Sequence, residues 1–209
     1  MKEVYIIRHA ESISNIGHRT ENHHSIPLSE KGKLQAKELA DTVTIIPDLI
    51  VISSFSRTHE TAIPFIEKHS KVPLETWDVH EFTYMDPSKY SGTTAAERFG
   101  DAYKYWMHAS VHDKGGPEAE SFAELTKRME KFIEKVKARP EKTIVIFSHG
   151  RFILGLKLYI EKIKKLGRKD LSDVELEDLK KSHTNLMVPT VLATAKFPID
   201  NVSIHKLEI

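Results

Sequence analysis

The chain has 209 residues and a hydrophobic content of 40%, enough for one domain, or a core with a modest insertion, built around a proper apolar core. Its 31 Lys and Arg residues against 30 Asp and Glu give a net charge of +1, so the whole-chain charge attracts neither nucleic acid nor an anionic membrane. The absence of cysteine excludes disulfides, thiolate nucleophiles and cysteine metal ligands, and it fits a reducing compartment.

The N-terminus leads directly into a strand. Met1–Glu3 is followed by the apolar run Val4–Ile7, which predicts a short buried strand. This start has neither the charged lead nor the long apolar stretch of a signal peptide, and no run reaches the roughly 18 apolar residues of a membrane span. We therefore expect a cytoplasmic protein with no membrane partner.

Three apolar, strand-like runs each end in a basic or imidazole group. These groups are Arg8 and His9 after the first run, Arg57 shortly after Leu49–Ile52, and His149 after Thr143–Phe147. In a parallel sheet the carboxyl ends of such strands meet at one edge, where ligands bind. A neutral imidazole nitrogen can attack phosphorus, while a guanidinium neutralises phosphoryl oxygens and grips two together. The spacing therefore predicts a phosphate pocket at this edge.

A polar loop and a helix separate the first two strands. The loop, 16–25, contains His18, His23 and His24, but no carboxylate or cysteine stands at ligand spacing. We expect a solvated, substrate-facing loop and no metal site. Apolar residues at near-helical spacing then predict an amphipathic helix over 30–44 that covers the sheet.

The second predicted helix carries Arg57 in its first turn. A phosphate there would meet both the guanidinium and the free backbone N–H groups at the helix start, where the macrodipole favours anions. Pro64 should kink or shorten this helix, because proline lacks the N–H that the helix needs. The next apolar segment, Leu74–Trp77, reads as a further strand.

Cleavage of a phosphate ester also needs a proton donor, since an alkoxide is a poor leaving group at neutral pH. Glu81 is the candidate: beside Phe82 and Tyr84 its carboxyl would be partly desolvated, which raises its pKa and keeps a proton available. Asp78 and Asp86 are the alternatives.

The secondary-structure pattern of the sequence is weakest over residues 86–116. A helix is predicted over 95–109, with Phe99, Tyr103 and Trp106 on one face, and Gly115-Gly116-Pro117 breaks the chain after it. Several of its side chains either meet the non-phosphate part of a substrate or pack in the core; they are Arg98, Tyr103, Lys104 and Trp106. His108 and His112 have the spacing of a helical metal clip, but without a third ligand nearby we expect them at the surface.

The C-terminal half continues the alternation of helices and strands. The capping box Ser121–Glu124 predicts a helix through about Ala138, and Gly150 starts another that ends near Gly167. Segments 186–195 and 202–207 alternate like two strands of an edge hairpin, and this edge offers a surface for a homodimer. The pattern predicts a three-layer α/β/α sandwich with a mostly parallel central sheet.

Together these pieces resemble the histidine phosphatase superfamily, the phosphoglycerate-mutase-like proteins, and specifically its larger branch. The motifs that carry the resemblance are Arg8-His9 with Glu11-Ser12 and Asn15, the stretch from Pro27 to Gly32, Ser53-Ser54 with Arg57 and Thr61-Ala62, Glu120-Ser121-Phe122 with Arg128, and Ser148-His149-Gly150. Ala10 departs from the pattern, because the family most often has glycine there. Gly150 excludes the other branch, which places an acidic residue directly after the second histidine.

The resemblance implies roles for specific residues. It implies catalytic roles for His9, Arg8, Arg57, His149 and Glu81, and substrate-binding roles for Asn15, Ser12 and Gly150. It also implies a single domain over 1–209 with a helical, lid-like insertion at about 78–117.

We therefore expect a phosphomonoesterase that hydrolyses a small phosphorylated metabolite through a phosphohistidine on His9. No metal or cofactor is expected, because two guanidiniums and a protonated His149 would neutralise the phosphoryl charge. A mutase would use the same pocket, but the segment from Phe82 to Glu97 does not resemble the extra pocket sequence of the glycolytic mutases. A non-catalytic phosphate-binding module is the other alternative, although no catalytic group is missing from the sequence.

Overall fold

A computed structural model of the protein describes residues 2–168, 170–194 and 198–209. The strands of this part of the chain are β1 (Glu3–Arg8), β2 (Leu49–Ile52), β3 (Leu74–Thr76), β4 (Thr143–Ser148) and β5 (Ile204–Leu207). Its helices are α1 (Glu30–Thr42), α2 (Ser56–Lys68), α3 (Phe99–His108), α4 (Phe122–Ala138), α5 (Gly150–Leu166) and α6 (Asp173–Thr194). No helix within these ranges combines the length and apolar character that a membrane crossing requires.

The strands form one sheet in the order β3-β2-β4-β1-β5. The first four run parallel, and β5 pairs antiparallel with β1 at the edge. The register of β1 on β4 places Arg8 beside Ser148, so the residues that follow them, His9 and His149, emerge side by side. Because β2 also runs parallel to β4, its carboxyl end opens on the same edge of the sheet.

Apolar residues alternate between the two faces of the sheet, and each face is covered by helices. On one face Ile50, Val145 and Phe147 pack with buried residues of α1 and α2. On the other face Val4 and Ile146 belong to a larger core that includes α4, α5 and the segment between β3 and α4. This arrangement confirms the predicted three-layer α/β/α fold with a mostly parallel sheet.

Pro64 lies inside α2 and does not shorten it; the sequence predicted that this proline would either kink or shorten the helix. The helix runs four residues beyond it to Lys68. The ring of the next residue, Phe65, is fully buried and lies 5.8 Å from the ring of Phe147 on the sheet. Packing of this helix face against the sheet therefore outweighs the backbone hydrogen bond that proline cannot make.

The segment between β3 and α4 contains α3, which is shorter than the predicted helix. Its aromatic residues differ in burial: Tyr105 and Trp106 are buried, whereas Phe99 and Tyr103 are exposed. The buried pair joins a larger aromatic cluster; Trp106 lies 5.8 Å from Phe82. Of the two interpretations considered for Trp106, core packing is the one that the structure supports.

The prediction of a strand over 186–195 is wrong. Residues 186–194 are helical and belong to α6, while Ala195 lies outside the described residues. The helix begins after Ser172, whose N–H donates to Glu175 at 2.8 Å, and it buries Leu176, Leu179 and Met187 at helical spacing. In the sequence alone, the β-branched residues near its end favour a strand. In the structure they continue the helix that begins at Asp173. β5 therefore pairs with β1 alone, without a hairpin partner at its other side among the described residues.

Candidate active site

His9 lies immediately after β1 and is buried. Its Nδ1 is 2.7 Å from the backbone oxygen of Ala10, an atom that can only accept, so Nδ1 carries the ring proton. Its Nε2 accepts a hydrogen bond from Nε–H of Arg57 at 3.2 Å. Both contacts require the same tautomer, in which Nε2 is unprotonated and its lone pair accepts from Arg57; that lone pair can attack once the guanidinium turns to a bound phosphoryl group.

The pKa of His9 lies well below the ordinary value of histidine. Burial is the main cause, and the positive charges of Arg57 and Arg8 lower the pKa further. The imidazole is therefore neutral at physiological pH, as a nucleophile must be. The same guanidiniums that would hold a phosphoryl group keep the nucleophile deprotonated.

His149 stands beside His9, with 5.1 Å between the ring centroids. Its Nε2 lies 2.7 Å from the hydroxyl of Ser53, whereas its buried Nδ1 has no hydrogen-bond partner among the described residues. If the hydroxyl donates to Nε2, Nδ1 carries the proton and can donate to an incoming anion. Burial and the charge of Arg57 lower the pKa of His149 well below its ordinary value, so this ring is neutral until an anion binds, rather than protonated as expected from sequence.

Arg8 and Arg57 supply two buried positive charges. Arg8 donates through Nη1 to the backbone oxygen of Ile199, and Arg57 donates through Nη1 to the backbone oxygen of His23 at 3.1 Å. Burial lowers the pKa of each guanidinium to about 10. Both side chains therefore remain charged at neutral pH, and the parallel sheet does bring the four predicted groups together at its edge.

Glu81 is buried beside this cluster, and its charge acts on both Arg8 and Arg57. Hydrogen-bond donors surround its carboxylate, rather than the apolar wall expected from sequence. Oε1 accepts from the backbone N–H groups of Phe82, Arg151 and Phe152 at 3.1, 3.0 and 3.3 Å. The last two belong to the first turn of α5, so Glu81 also caps that helix.

The other two acidic candidates are placed differently. Asp78 is exposed. Asp86 is buried, but its Oδ1 accepts from the N–H and hydroxyl of Ser88, and its Oδ2 accepts from the N–H of Glu118. These bonds hold a turn, so Glu81 is the one of the three acidic candidates that is buried beside the cluster.

The residues expected to bind substrate lie in the segments that follow His9 and His149 in sequence. Ser12 donates both its N–H and its hydroxyl to Oδ1 of Asn15, each at 3.0 Å, which fixes the orientation of the amide. The hydroxyl of Ser12 therefore positions Asn15. Gly150 is the first residue of α5, directly after His149.

The helix start of α2 is already engaged by the protein. Ser56 N–H donates to the backbone oxygen of His24 at 2.9 Å, and Thr58 N–H donates to that of Phe55 at 3.1 Å. These two N–H groups are therefore not free for the predicted contact with a phosphate. Arg57 contributes its side chain instead.

Several residues at the site were not predicted as site residues. Ser53 orients His149, Thr61 accepts from the N–H of Ala10 at 2.9 Å, and Asn201 donates to the backbone oxygen of His9 at 2.8 Å. Arg151 places Nη1 at 3.6 Å from Oε2 of Glu81. Ser53 and Thr61 belong to motifs that are visible in the sequence. No sequence pattern around Asn201 indicates that it is a site residue.

The loop over 16–25 contacts both the insertion and, through the backbone oxygen of His23, the Arg57 side chain of the cluster. Arg19 donates to the backbone oxygen of Gly92 at 2.7 Å and pairs with Glu97 at 2.6 Å, while Thr20 and Thr93 form a β-bridge. A cleft of about 910 Å³ adjoins the cluster, lined in part by His23, Phe55 and His80. The Phe55 ring packs edge-on against the ring of His149, with 5.2 Å between the centroids. The Phe55 side chain therefore separates the cleft from His149.

No group of three or more His, Asp or Glu side chains in the described ranges is arranged to hold a metal ion. Within the exposed histidine pair predicted at the surface, His112 places Nε2 at 3.2 Å from Oδ1 of Asp173.

Comparison with known proteins identifies the family. The sequence model of the histidine phosphatase superfamily (branch 1) matches residues 4–180. Phosphoserine phosphatase 1 of Hydrogenobacter thermophilus is 31% identical over 156 residues, which cover 71% of this chain and 71% of that protein. A 2,3-bisphosphoglycerate-dependent phosphoglycerate mutase of Bifidobacterium longum is 23% identical over 205 residues, with 83% of this chain and 82% of that protein covered.

Solved structures share the fold. Mycobacterial glucosyl-3-phosphoglycerate phosphatase, solved in complex with VO3, matches 100% of this chain and 93% of its own with a TM-score of 0.68 at 22% identity. The predicted family is thus confirmed by sequence and by fold. Because the family match spans most of the chain and carries the Arg8-His9 and His149 motifs, the protein belongs to branch 1 of the histidine phosphatase superfamily.

Proposed function

We propose that the protein is a phosphomonoesterase that hydrolyses a small phosphorylated metabolite through a phosphohistidine at His9. The observation that carries this proposal is the state of the His9 ring. A proton on Nδ1, fixed by Ala10, leaves the Nε2 lone pair directed toward Arg57, where a phosphoryl group would be held.

In the first step Nε2 of His9 attacks phosphorus in line. The N–P bond forms as the P–O bond to the alcohol breaks, and Glu81 gives its proton to the leaving oxygen. Arg8, Arg57 and Nδ1–H of His149 hold the equatorial oxygens, and their fixed positions stabilise the charge of the transition state.

In the second step a water molecule attacks the phosphohistidine. Glu81, now a carboxylate, takes a proton from that water as the N–P bond breaks. Inorganic phosphate leaves, and His9 returns to its neutral form. One carboxyl group thus acts first as an acid and then as a base.

The phosphatase named among the relatives supports hydrolysis, whereas the Bifidobacterium longum relative is named as a mutase. A mutase would return the phosphoryl group to a second oxygen of the substrate, using the same four residues. We favour transfer to water, because the phosphatase relative has the higher identity and no mutase-type pocket sequence follows Glu81.

Phosphate release in excess chelator tests the proposal, with p-nitrophenyl phosphate and glycerol 2-phosphate as substrates. The unaltered protein should hydrolyse both without a bisphosphate primer, and His9→Ala should hydrolyse neither. Glu81→Ala should lose far more activity on glycerol 2-phosphate, because p-nitrophenolate leaves without a proton and an alkoxide does not. Activity that needs a primer would support the mutase instead, and equal losses on both esters would remove Glu81 from the acid role.

A further inference from the structure

The nucleophile lies one residue beyond the paired part of its strand. β1 ends at Arg8, and its register with β4 ends at the pair of Arg8 and Ser148. The peptide group that joins His9 to Ala10 therefore lies past the last paired residues of these two strands. Its orientation matters for the nucleophile, because it sets the course of the backbone from His9 to the Ala10 oxygen that accepts from Nδ1–H.

Two side chains from distant parts of the chain bind the two ends of this peptide group. Nδ2–H of Asn201, in the turn before β5, donates to the backbone oxygen of His9 at 2.8 Å. At the other end, the N–H of Ala10 donates to the hydroxyl oxygen of Thr61, in the second turn of α2, at 2.9 Å. Because a peptide group is planar, holding both its oxygen and its N–H fixes its orientation.

Thr61 also connects this peptide group to the helix that carries Arg57. Its hydroxyl donates to the backbone oxygen of Arg57, one turn earlier, at 2.6 Å, which leaves its lone pairs for the N–H of Ala10. The Arg57 side chain in turn donates to Nε2 of His9. Thr61 and Ala10 are both fully buried, so these bonds are shielded from water. One hydroxyl thus links the backbone of the nucleophile to the backbone of the guanidinium.

The turn that carries Asn201 is held against the end of β1. The N–H of Val202 donates to the backbone oxygen of Arg8 at 3.1 Å. Val202 has a φ of 54°, in the left-handed region that is costly for a β-branched residue. Such strained residues persist where their contacts over-determine them, and they cluster at functional sites. Here the strained residue directly follows Asn201, and its bond to Arg8 keeps the Asn201 amide next to the His9 oxygen.

We propose that Asn201 and Thr61 are positioning residues that together hold the peptide group between His9 and Ala10 and so align the His9 ring with phosphorus. This inference rests on the proposed function, in which Nε2 of His9 attacks in line. The two side chains act through the backbone of the nucleophile and not through the phosphoryl group. Alignment of this kind contributes strongly to rate, because a small displacement of the attacking atom raises the barrier steeply.

The proposal predicts a loss of phosphoryl transfer without a loss of phosphate binding. Asn201→Leu and Thr61→Val nearly keep the size of each side chain and remove its hydrogen-bonding group. For p-nitrophenyl phosphate, kcat/KM includes the steps through phosphoryl transfer to His9, so each variant should lower it by about tenfold. The inhibition constant of inorganic phosphate measures binding by the arginines and should stay the same.

A double variant tests whether the two side chains hold the same group. Asn201→Leu combined with Thr61→Val should lose little more kcat/KM than the worse of the two single variants, because either change alone already frees the peptide. Thr126→Val is the matched control for threonine, since buried Thr126 in α4 donates to the backbone oxygen of Phe122 at 3.0 Å, the same bond to the preceding turn. Asn185→Leu, at an exposed position of α6, is the control for asparagine. Both controls should leave kcat/KM unchanged.

The outcomes separate this inference from the proposed function. An unchanged kcat/KM in Asn201→Leu would overturn the inference and leave the phosphatase proposal standing. Losses that multiply in the double variant, or a phosphate affinity that falls in step with kcat/KM, would also overturn it. Because Asn201 is half-exposed, Asn201→Leu still decides if Thr61→Val does not fold. Failure of the unaltered protein to hydrolyse p-nitrophenyl phosphate would overturn the proposed function, and the inference with it.

Discussion

At the scale of the residue, the site depends on the way its buried polar atoms are paired. The backbone oxygen of Ala10 accepts a hydrogen bond from Nδ1–H of His9, and the hydroxyl of Ser53 is hydrogen-bonded to Nε2 of His149. In the proposed mechanism each histidine presents its other nitrogen to the phosphoryl group. The protein fixes the nucleophile and the donor before substrate arrives, so little reorganisation is needed during the reaction.

Arg57 gives the sharpest prediction at this scale. Arg57→Gln should lower kcat for a phosphomonoester by about a hundredfold to a thousandfold, equivalent to about 3–4 kcal/mol, because it removes a preorganised charge that contacts Nε2 of His9. Arg57→Lys should recover only part of the loss, since an ammonium cannot span His9 and the phosphoryl oxygens at once. Steady-state kinetics measure both effects, with Arg168→Gln as the exposed control; an unchanged kcat in Arg57→Gln would contradict this role.

At the scale of the element, the start of α1 packs closely against the loop that follows β1. Gly32, near the start of α1, has no room for a side chain, because a Cβ placed there would lie 1.9 Å from the backbone oxygen of Glu11. Ser29 accepts from Gly32 N–H at 3.0 Å and donates to Glu11 at 2.8 Å, which ties the helix start to the same loop. The close approach of this helix thus supports the backbone two residues after His9.

Gly32→Ala tests that connection. The methyl group should force the helix and the loop apart, which should lower the free energy of unfolding by about 1–3 kcal/mol and also reduce kcat. Gly100→Ala is the control, because Gly100 lies in an exposed part of α3 with nothing within 4 Å of its Cβ position, and alanine there should be neutral or stabilising. Denaturant unfolding together with turnover measures the pair; equal stability of the two variants would show that the contact does not matter.

How much could be predicted from sequence differs between these elements. Apolar runs that end in Arg8, His9 and His149 predicted the sheet edge correctly, because a strand and the residue after it are neighbours in sequence. The sequence predicted a strand at the end of α6. Leu186 is helical because it continues a helix whose earlier residues, such as Leu176, pack in the core. The partners of Glu81 were missed for a similar reason: the amides of Arg151 and Phe152 come from an element some 70 positions away.

At the scale of the whole molecule, several histidines are buried in neutral form. Burial lowers the pKa of His80 to about 4, and it lowers the pKa of His23 and of His183 to about 3. His183 stacks on Trp106 with 4.9 Å between the ring centroids, in the core between α3, α5 and α6. Burying these rings couples the stability of the whole fold to pH.

Stability should therefore fall as the pH decreases. The unfolded chain protonates its histidines below about pH 6.5, while His183 in the fold stays neutral down to about pH 3, so the unfolded state binds more protons between these values. Each such histidine should lower the free energy of unfolding by up to about 1.4 kcal/mol per pH unit in this window, and the contribution should be constant above it.

Urea unfolding at several pH values between neutral and acidic measures this dependence. The free energy of unfolding of His183→Phe should decrease less steeply with falling pH than that of the unaltered protein. The variant lacks one of the histidines that take up a proton on unfolding. His59→Gln should keep the full slope, since His59 is exposed on α2. The prediction fails if His183→Phe and the unaltered protein lose stability in parallel.

The central claim is covalent catalysis by His9, and trapping the phosphoenzyme tests it most directly. Glu81→Gln should accumulate the intermediate during turnover of p-nitrophenyl phosphate, because the leaving group departs without a proton while the attacking water lacks its base. Rapid quenching in base, followed by mass spectrometry of the peptides, should then find one acid-labile phosphoryl group on His9. A phosphoryl group on another residue, or continued phosphate release with no labelled peptide, would contradict the account.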